Sequence, residues 1–231
     1  MTGKEILTHL SSQKTEELFS SLYGADGVNS AVQRYRRLIE ELLDEGAFPR
    51  QEFSEADGEL RVFSVPGRTE LGGNHTDHNR GKVLAASIQL DAAAIIAPRQ
   101  DNQIFFRSTG HRDVIVDISD LSIREEEKGD TEALVRGIAA EFTAQGTPVK
   151  GFTANADNMV LSGSGLSSSA ALEVLLANID GTHVPLSVLE QYMPIQYTHI
   201  REGRLKAEAA AILKDRVKDY IDDYLFAVMC H

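Results

Sequence analysis

The feature that most constrains the fold is a long apolar run in the middle of the chain. Val83 to Leu90 and Ala92 to Ala97 are largely apolar, and a single acidic residue, Asp91, separates them. Apolar runs of this length without helical periodicity are typical of strands that are buried on both faces of a sheet. The run therefore predicts two buried strands.

Helices and shorter strands surround this run. Val28 to Leu43 has apolar residues at helical spacing, with Asn29 or Ser30 as candidate caps, and Thr131 to Gln145 shows the same pattern. The other predicted strands are Leu60 to Val65 (ending at Pro66-Gly67), Gln103 to Arg107, Val114 to Ile118 and Gly151 to Ala156, with turns at 101–102 and 109–110. A helix is predicted through Leu176, and one or two exposed helices from His199 onward. This order predicts an α+β domain with a mixed or antiparallel sheet.

The composition limits the classes of partner. Among 231 residues, 35 acidic against 23 basic side chains give a net charge of -12, which disfavours nucleic acid and anionic membranes. A nucleotide is still possible, because backbone amides and a metal ion can hold its phosphates locally. A single cysteine, Cys230, excludes an internal disulfide, and no apolar run resembles a signal peptide or a membrane span. We expect a cytoplasmic protein.

A polar segment bracketed by glycines, Pro66 to Gly81, carries the first indication of chemistry. Its glycines allow sharp turns and close approach to a ligand. Four consecutive hydrogen-bonding residues follow them: Asn74, His75, Thr76 and Asp77. Donors and acceptors mixed in this way suit the hydroxyls of a sugar, each of which both donates and accepts. The alternatives are a polar surface loop and a metal site formed by His75, Asp77 and His78.

A second segment, rich in glycine and serine, precedes a predicted helix. It consists of Gly163, Ser164, Gly165, Leu166, Ser167, Ser168 and Ser169. The first turn of a helix accepts phosphate oxygens through its unpaired amides, and a serine hydroxyl can bind Mg²⁺. No lysine follows the glycines, so the segment is not a Walker A loop. A linker or helix cap is the alternative, but the position between a strand and an apolar helix favours phosphate binding.

Together the two segments resemble galactokinases, within the kinase group named for galactose, homoserine, mevalonate and phosphomevalonate. Pro66 to Leu84 resembles a signature in which Gly-Arg leads to Gly-x-His-Thr-Asp and x-Gly-x-Val-Leu. Gly163 to Glu173 resembles the phosphate loop Gly-x-Gly-Leu-Ser-Ser-Ser-Ala. The resemblance covers about residues 15–175 and implies the two-layer N-terminal domain of this group, with the C-terminal domain largely absent. The implied division is a helical extension (1–25), a sugar- and ATP-binding domain (26–195) and a helical tail left from the C-terminal domain (196–231).

The resemblance implies transfer of the γ-phosphoryl group of ATP to the C1 hydroxyl of galactose, with Mg²⁺ as cofactor. The four residues from Asn74 to Asp77 would line the sugar pocket, and Arg68 would lie beside the reacting hydroxyl. Gly163 to Ser169 would surround the ATP phosphates. Ser169 would bind Mg²⁺, and Ser108 would be a further nucleotide contact.

The chain departs from the family pattern in three places. Asn74 replaces a glutamate that is usual in galactokinases, and Ala85 replaces a common proline. The family's Gln-x-Ala-Glu segment, which supplies a second Mg²⁺ ligand, and its Gly-x-x-Asp-Gln segment, which supplies the catalytic aspartate, are not found. The candidate replacement bases are Asp180, Glu190 and Glu202. Three alternatives follow: an active galactokinase, a galactokinase-like protein that binds without turnover, and a truncated product.

Overall fold

The computed structural model describes residues 1–44, 48, 60–72, 82–144, 146, 148–160, 168–180 and 226–230. Its α-helices are α1 (Gly3–His9), α2 (Gln13–Tyr23), α3 (Val28–Leu43), α4 (Thr131–Ala144) and α5 (Ser168–Asp180). Its strands are β1 (Arg61–Gly72), β2 (Lys82–Pro98), β3 (Gln103–Ser108), β4 (Val114–Asp117), β5 (Phe152–Asn158) and β6 (Phe226–Cys230). Single 3₁₀ turns lie at Ala25–Gly27 and Glu125–Glu127.

The first helices begin at hydrogen-bonding side chains. Thr2 and Glu5 form a reciprocal capping box at α1, and the Ser12 side chain accepts from a backbone amide at the start of α2. Helix α3 has the predicted bounds, but its first residue follows Gly27 and no side chain caps it. The expectation of a cap at Asn29 or Ser30 was wrong, because both residues already lie inside the helix.

The described strands form one mixed sheet in the order β1-β2-β5-β3-β4, and β6 also pairs with β2. Strand β5 is antiparallel to β2 and parallel to β3, and β3 is antiparallel to β4. The order of elements predicted a mixed or an antiparallel sheet, and the sheet of the described strands is mixed.

Two strands are longer than the sequence predicted. The apolar run is one 17-residue strand, β2, rather than two. Asp91 does not interrupt it because other side chains satisfy its carboxylate in the fold. Strand β1 likewise continues through Pro66 and Gly67 to Gly72. Proline is tolerated there because β1 is the terminal strand of the sheet order, with β2 as its one neighbour in that order.

Successive residues of β2 enter two different cores, one on each face of the sheet. Ala92, Ala94 and Ile96 belong to a core that includes α4 and α5 residues. Ala93, Ile95 and Ala97 belong to a core that includes residues of α1, α2 and α3. The α+β class is confirmed, with one addition: helices α1 to α3 cover the face that a two-layer arrangement leaves open.

The chain divides into two units by its internal contacts. One unit contains residues 1–67 and 89–183, and the other contains residues 68–88 and 184–231. In the second unit β6 pairs antiparallel with the start of β2, from Lys82 opposite Cys230 to Ala86 opposite Phe226. The tail, expected to be helical, thus contains a strand at residues 226–230, while residues 181–225 lie outside the described part. The domain limits at residues 25 and 195 stay a prediction.

Candidate functional site

The residues predicted to bind the sugar connect two neighbouring strands of the sheet. Strand β1 carries Arg68, which is half-buried, and ends at Gly72; strand β2 begins at Lys82. Residues 73–81 join them, so the cluster predicted to bind a sugar, Asn74, His75, Thr76 and Asp77, lies outside the described residues. The structure thus places Arg68 on the strand that leads into this connection.

The segment predicted to bind phosphate follows β5 and ends in the first turn of α5. Residues 161–167, which include Gly163, Ser164, Gly165, Leu166 and Ser167, lie outside the described part. Ser168 and Ser169 form the first turn of α5, as predicted. Helix α5 is anchored by buried residues further along: Ala171, Leu175, Leu176 and Ile179. The predicted position between a strand and an apolar helix is confirmed.

Ser108 lies at the edge of the sheet where the chain leaves β5. It is the last residue of β3 and is half-buried, and the parallel register sets it opposite Ala156. The amide of Thr109 donates to the carbonyl oxygen of Ala156 at 2.9 Å. Because parallel strands end at the same edge of a sheet, Ser108 lies close to the start of the segment that leads to Gly163. Its contact with a nucleotide stays a prediction.

A partly buried ionic cluster at the same edge was not predicted from the sequence. We call it the Arg34 cluster; its members are Tyr23, Arg34, Tyr35, Ser64, Asp91 and Asp157. Arg34 of α3 donates to Asp91 of β2 through Nη1 and to Asp157 of β5 through Nε, the latter at 2.6 Å. The side chains of Arg34 and Asp91 are only 9% and 4% exposed. The cluster therefore joins a helix to two strands through charged groups largely withdrawn from water.

Asp91 is the acceptor at the centre of the Arg34 cluster. Its Oδ2 accepts from the Tyr23 hydroxyl at 2.7 Å and from the Ser64 hydroxyl at 2.5 Å. Tyr23 in turn lies 2.8 Å from the Tyr35 hydroxyl. With Arg34, these donors satisfy a carboxylate that would otherwise be costly to bury.

Burial and neighbouring charges set the protonation of the Arg34 cluster. Burial raises the pKa of Tyr23, and so do the neighbouring Tyr35 hydroxyl and the carboxylate of Asp91. Burial would by itself raise the pKa of Asp157, but the hydrogen bond and charge of Arg34 outweigh it, and that pKa lies below its ordinary value. At neutral pH Tyr23 is thus a neutral donor and Asp157 is ionised.

One sequence feature could have indicated this cluster. Asp91 is an acid inside an apolar run, and a buried carboxylate needs a cation or several donors. The sequence does not say which cation, because Arg34 is 57 residues away from Asp91 and 123 from Asp157.

The described residues hold no group of three or more His, Cys, Asp and Glu side chains that could bind a metal ion. The alternative metal site at His75, Asp77 and His78 lies outside those residues. Within the same ranges, none of the helices combines the length and the apolar character that a bilayer span requires.

Comparison with known proteins links the sugar segment to one family. The galactokinase galactose-binding signature matches residues 50–98, which include Arg68 and the segment from Asn74 to Asp77. Galactokinase of Bacillus subtilis (strain 168) is 35% identical over 126 residues, which are 54% of this chain and 32% of the relative. Galactokinase of Chloroflexus aurantiacus is 32% identical over 170 residues, 66% of this chain and 40% of the relative.

The chain is similar to galactokinases over part of its length. It spans 32–40% of the length of these two curated relatives. The crystal structure of Lactococcus lactis galactokinase complexed with galactose superposes with a TM-score of 0.50 and 24% sequence identity, over 77% of this chain and 39% of the other. This likeness supports the fold.

The C-terminal part of the chain resembles a second family. A family described as D-tagatose-1,6-bisphosphate aldolase subunit GatZ/KbaZ-like matches residues 166–229. The match begins inside the predicted phosphate segment and includes α5 and the tail. The interpretation of residues 196–231 as the remainder of a kinase C-terminal domain stays a prediction.

Proposed function

We propose that this protein is a galactokinase, which binds galactose and ATP and transfers the γ-phosphoryl group to the C1 hydroxyl of the sugar. The galactose-binding signature over residues 50–98 carries the proposal. It is supported by the position of Ser168 and Ser169 at the first turn of α5, because the unpaired backbone amides of a helix start can hold an anion.

Phosphoryl transfer requires alignment of the two substrates and neutralisation of charge. In the proposed arrangement, Asn74 to Asp77 hold the sugar hydroxyls, and the segment from Gly163 to Ser169 holds the triphosphate. The guanidinium of Arg68, half-buried on β1, stabilises negative charge on the attacking oxygen.

Mg²⁺ is the proposed cofactor, with Ser169 as its protein ligand. Mg²⁺ keeps several waters and binds through few protein groups together with substrate phosphates, so the site does not require a cluster of acids. Ser169 is the second residue of α5 and so belongs to the helix start at which the phosphates would be held. When bound, the ion neutralises charge on the triphosphate.

The proposed reaction also needs a general base, for which the sequence offers Asp180, Glu190 and Glu202. Asp180 is the last residue of α5, whereas Glu190 and Glu202 lie outside the described residues. Asp91 and Asp157 are already engaged by Arg34 and are therefore poor bases. A base contributes about 10² to 10⁴ in rate. The missing Asp-Gln motif favours a second candidate function, binding of sugar and ATP without turnover.

Galactose-dependent release of ADP by the full chain tests the first candidate. We expect turnover that Asp77→Ala abolishes and that Asp26→Ala, at an exposed acid after α2, leaves unchanged. Thermal stabilisation by galactose and ATP without ADP release would establish the binding function instead. If neither ligand raises the melting temperature, both candidates are wrong and the truncated-product alternative stands.

The second family match favours a further candidate role for the tail. We propose that residues 166–229 form a segment similar to the D-tagatose-1,6-bisphosphate aldolase subunit of the matching family. Such a segment would stand in place of the later kinase motifs, which are missing. Thermal stabilisation of the full chain by D-tagatose 1,6-bisphosphate, but not by fructose 6-phosphate, would support this role. No shift with either sugar phosphate would contradict it.

A further inference from the structure

We propose that Arg34 is a positioning residue for ATP, because it fixes the end of strand β5 from which the predicted phosphate segment begins. The inference rests on the proposed function in so far as it concerns ATP. Its structural half, that Arg34 anchors this strand end, rests on the contacts of the described residues alone.

Arg34 holds the backbone of both neighbouring strands as well as their carboxylates. Its Nη2 donates to the carbonyl oxygen of Asp157 at 2.6 Å and to that of Asp91 at 3.3 Å. Its Nη1 and Nε bind the two carboxylates. One planar guanidinium thus sets the relative position of β2 and β5 at the place where β5 ends.

The chain leaves β5 through a further set of hydrogen bonds next to these contacts. The amide of Met159 donates to the carbonyl oxygen of Asp91 at 2.9 Å, and the amide of Val160 donates to Oδ1 of Asn158 at 2.9 Å. Val160 is 2% exposed and packs in the same core as Leu175 of α5. The carbonyl oxygen of Asp91 is therefore shared between Arg34 and the first residue beyond β5.

A second buried arginine provides a matched control at the opposite edge of the sheet. The side chain of Arg136 is 5% exposed, against 9% for Arg34, and it also binds a carboxylate, that of Glu127, and backbone carbonyls. One of these carbonyls belongs to Asp117, which pairs with Gln103 at the start of β3. The end of β5 lies instead beside the last residue of β3. Loss of Arg136 should therefore destabilise the fold without moving the end of β5.

Amide hydrogen exchange on the full chain tests the structural half. In Arg34→Met, we expect the amides of Met159 and Val160 to exchange about tenfold faster than in Arg136→Met, because local opening depends on the contacts that hold a segment. If Arg34→Met does not fold, Arg34→Lys replaces it. Lysine keeps the charge but cannot contact both aspartates through a planar fork. Equal exchange in the Arg34 and Arg136 variants would overturn the anchoring role.

Titration calorimetry with ATP and Mg²⁺ tests the functional half. We expect Arg34→Met to weaken ATP binding about tenfold and Arg136→Met to change it less than about twofold, since small misplacement of binding groups is costly. Arg34→Lys should lie between Arg34→Met and the unmodified protein. Equal losses in Arg34→Met and Arg136→Met would indicate a general effect on stability and would overturn the positioning role. An unmodified chain that binds no ATP would refute the proposed function, and hydrogen exchange would still decide the anchoring role.

Discussion

Replacing Arg34 with methionine should remove a large share of the free energy of unfolding. Arg34 is the cation that both Asp91 and Asp157 bind in the Arg34 cluster, and its side chain is 9% exposed. Methionine keeps an unbranched stem of similar helix propensity, so α3 itself should persist. The substitution therefore isolates the loss of the charge and its hydrogen bonds.

The magnitude follows from the burial of the partner that remains. Removing one member of a buried ion pair costs about 3–5 kcal/mol, because the other charge is left without compensation. Asp91 is 4% exposed and falls in this class, whereas Asp157 is 16% exposed and can be hydrated more easily. Tyr23 and Ser64 still donate to Asp91. We therefore expect the lower end of the range, about 3 kcal/mol.

Urea unfolding followed by circular dichroism measures this difference, with Arg36→Met as the matched control. Arg36 lies two residues further along α3, is 41% exposed and is 3.9 Å from Glu40, which is 57% exposed. Exposed pairs of this kind contribute about 0–1 kcal/mol. Arg34→Met should therefore lower the unfolding free energy clearly, whereas Arg36→Met should lower it little or not at all.

If the two variants unfold within about 1 kcal/mol of each other, the range of an exposed pair, then the buried pair of Arg34 and Asp91 does not contribute the stability expected of it. A double variant gives a second check. Arg34→Met combined with Asp91→Asn leaves no unpaired charge at Asp91, so it should be more stable than Arg34→Met alone. If the double variant is less stable, the orphaned carboxylate is not the cause of the loss.

Three further predictions concern two glycines, Asp157 and Asn74. Gly151→Ala should lower the unfolding free energy by about 1–3 kcal/mol, because the new Cβ would lie 2.1 Å from the Asp101 carbonyl oxygen. Gly137→Ala, in open space on α4, should instead raise the unfolding free energy by about 0.5–1 kcal/mol. Urea unfolding measures both changes. The pKa of Asp157 is lower in the folded protein than the unfolded value of 3.8, so the ionised carboxylate stabilises the fold above pH 3.8, and this stability is lost as the pH falls through the folded pKa. The stability of Asp157→Asn should therefore fall less steeply in acid, as urea unfolding at several pH values measures. Asn74→Glu, which restores the residue usual in galactokinases, should favour galactose over N-acetylgalactosamine in an ADP-release assay; an unchanged ratio would contradict a role of Asn74 in sugar choice.

Local sequence patterns predicted most of the elements. The bounds of α3, the start of α4 and the turn at Thr109 and Gly110 agree with the structure, and Gly110 has a φ of 81°. These features depend on residues close in sequence: helical spacing of apolar groups, or a glycine that can adopt positive φ.

Predictions that depended on distant partners were less accurate. The local sequence predicts two strands separated by Asp91 where the structure has the single strand β2, and it predicts that β1 ends at Pro66, whereas β1 continues to Gly72. A prediction that uses only neighbouring residues ends a strand at an acidic residue or a proline. Whether they do so here depends on donors from α2, α3 and β1, and on the edge position of β1, none of which the local sequence contains.

The candidate site shows the same division. The sequence by itself determined the polar sugar segment and the glycine- and serine-rich segment, because short motifs carry their own hydrogen-bonding groups. It also placed Asn74 to Asp77 between two strands, and the serines of the second segment at the start of a helix. Only the tertiary structure decided that Ser108 lies at the edge where β5 ends, and that Arg34 joins Asp91 to Asp157 there. Those relations depend on strand order and helix packing, which bring together residues far apart in the chain.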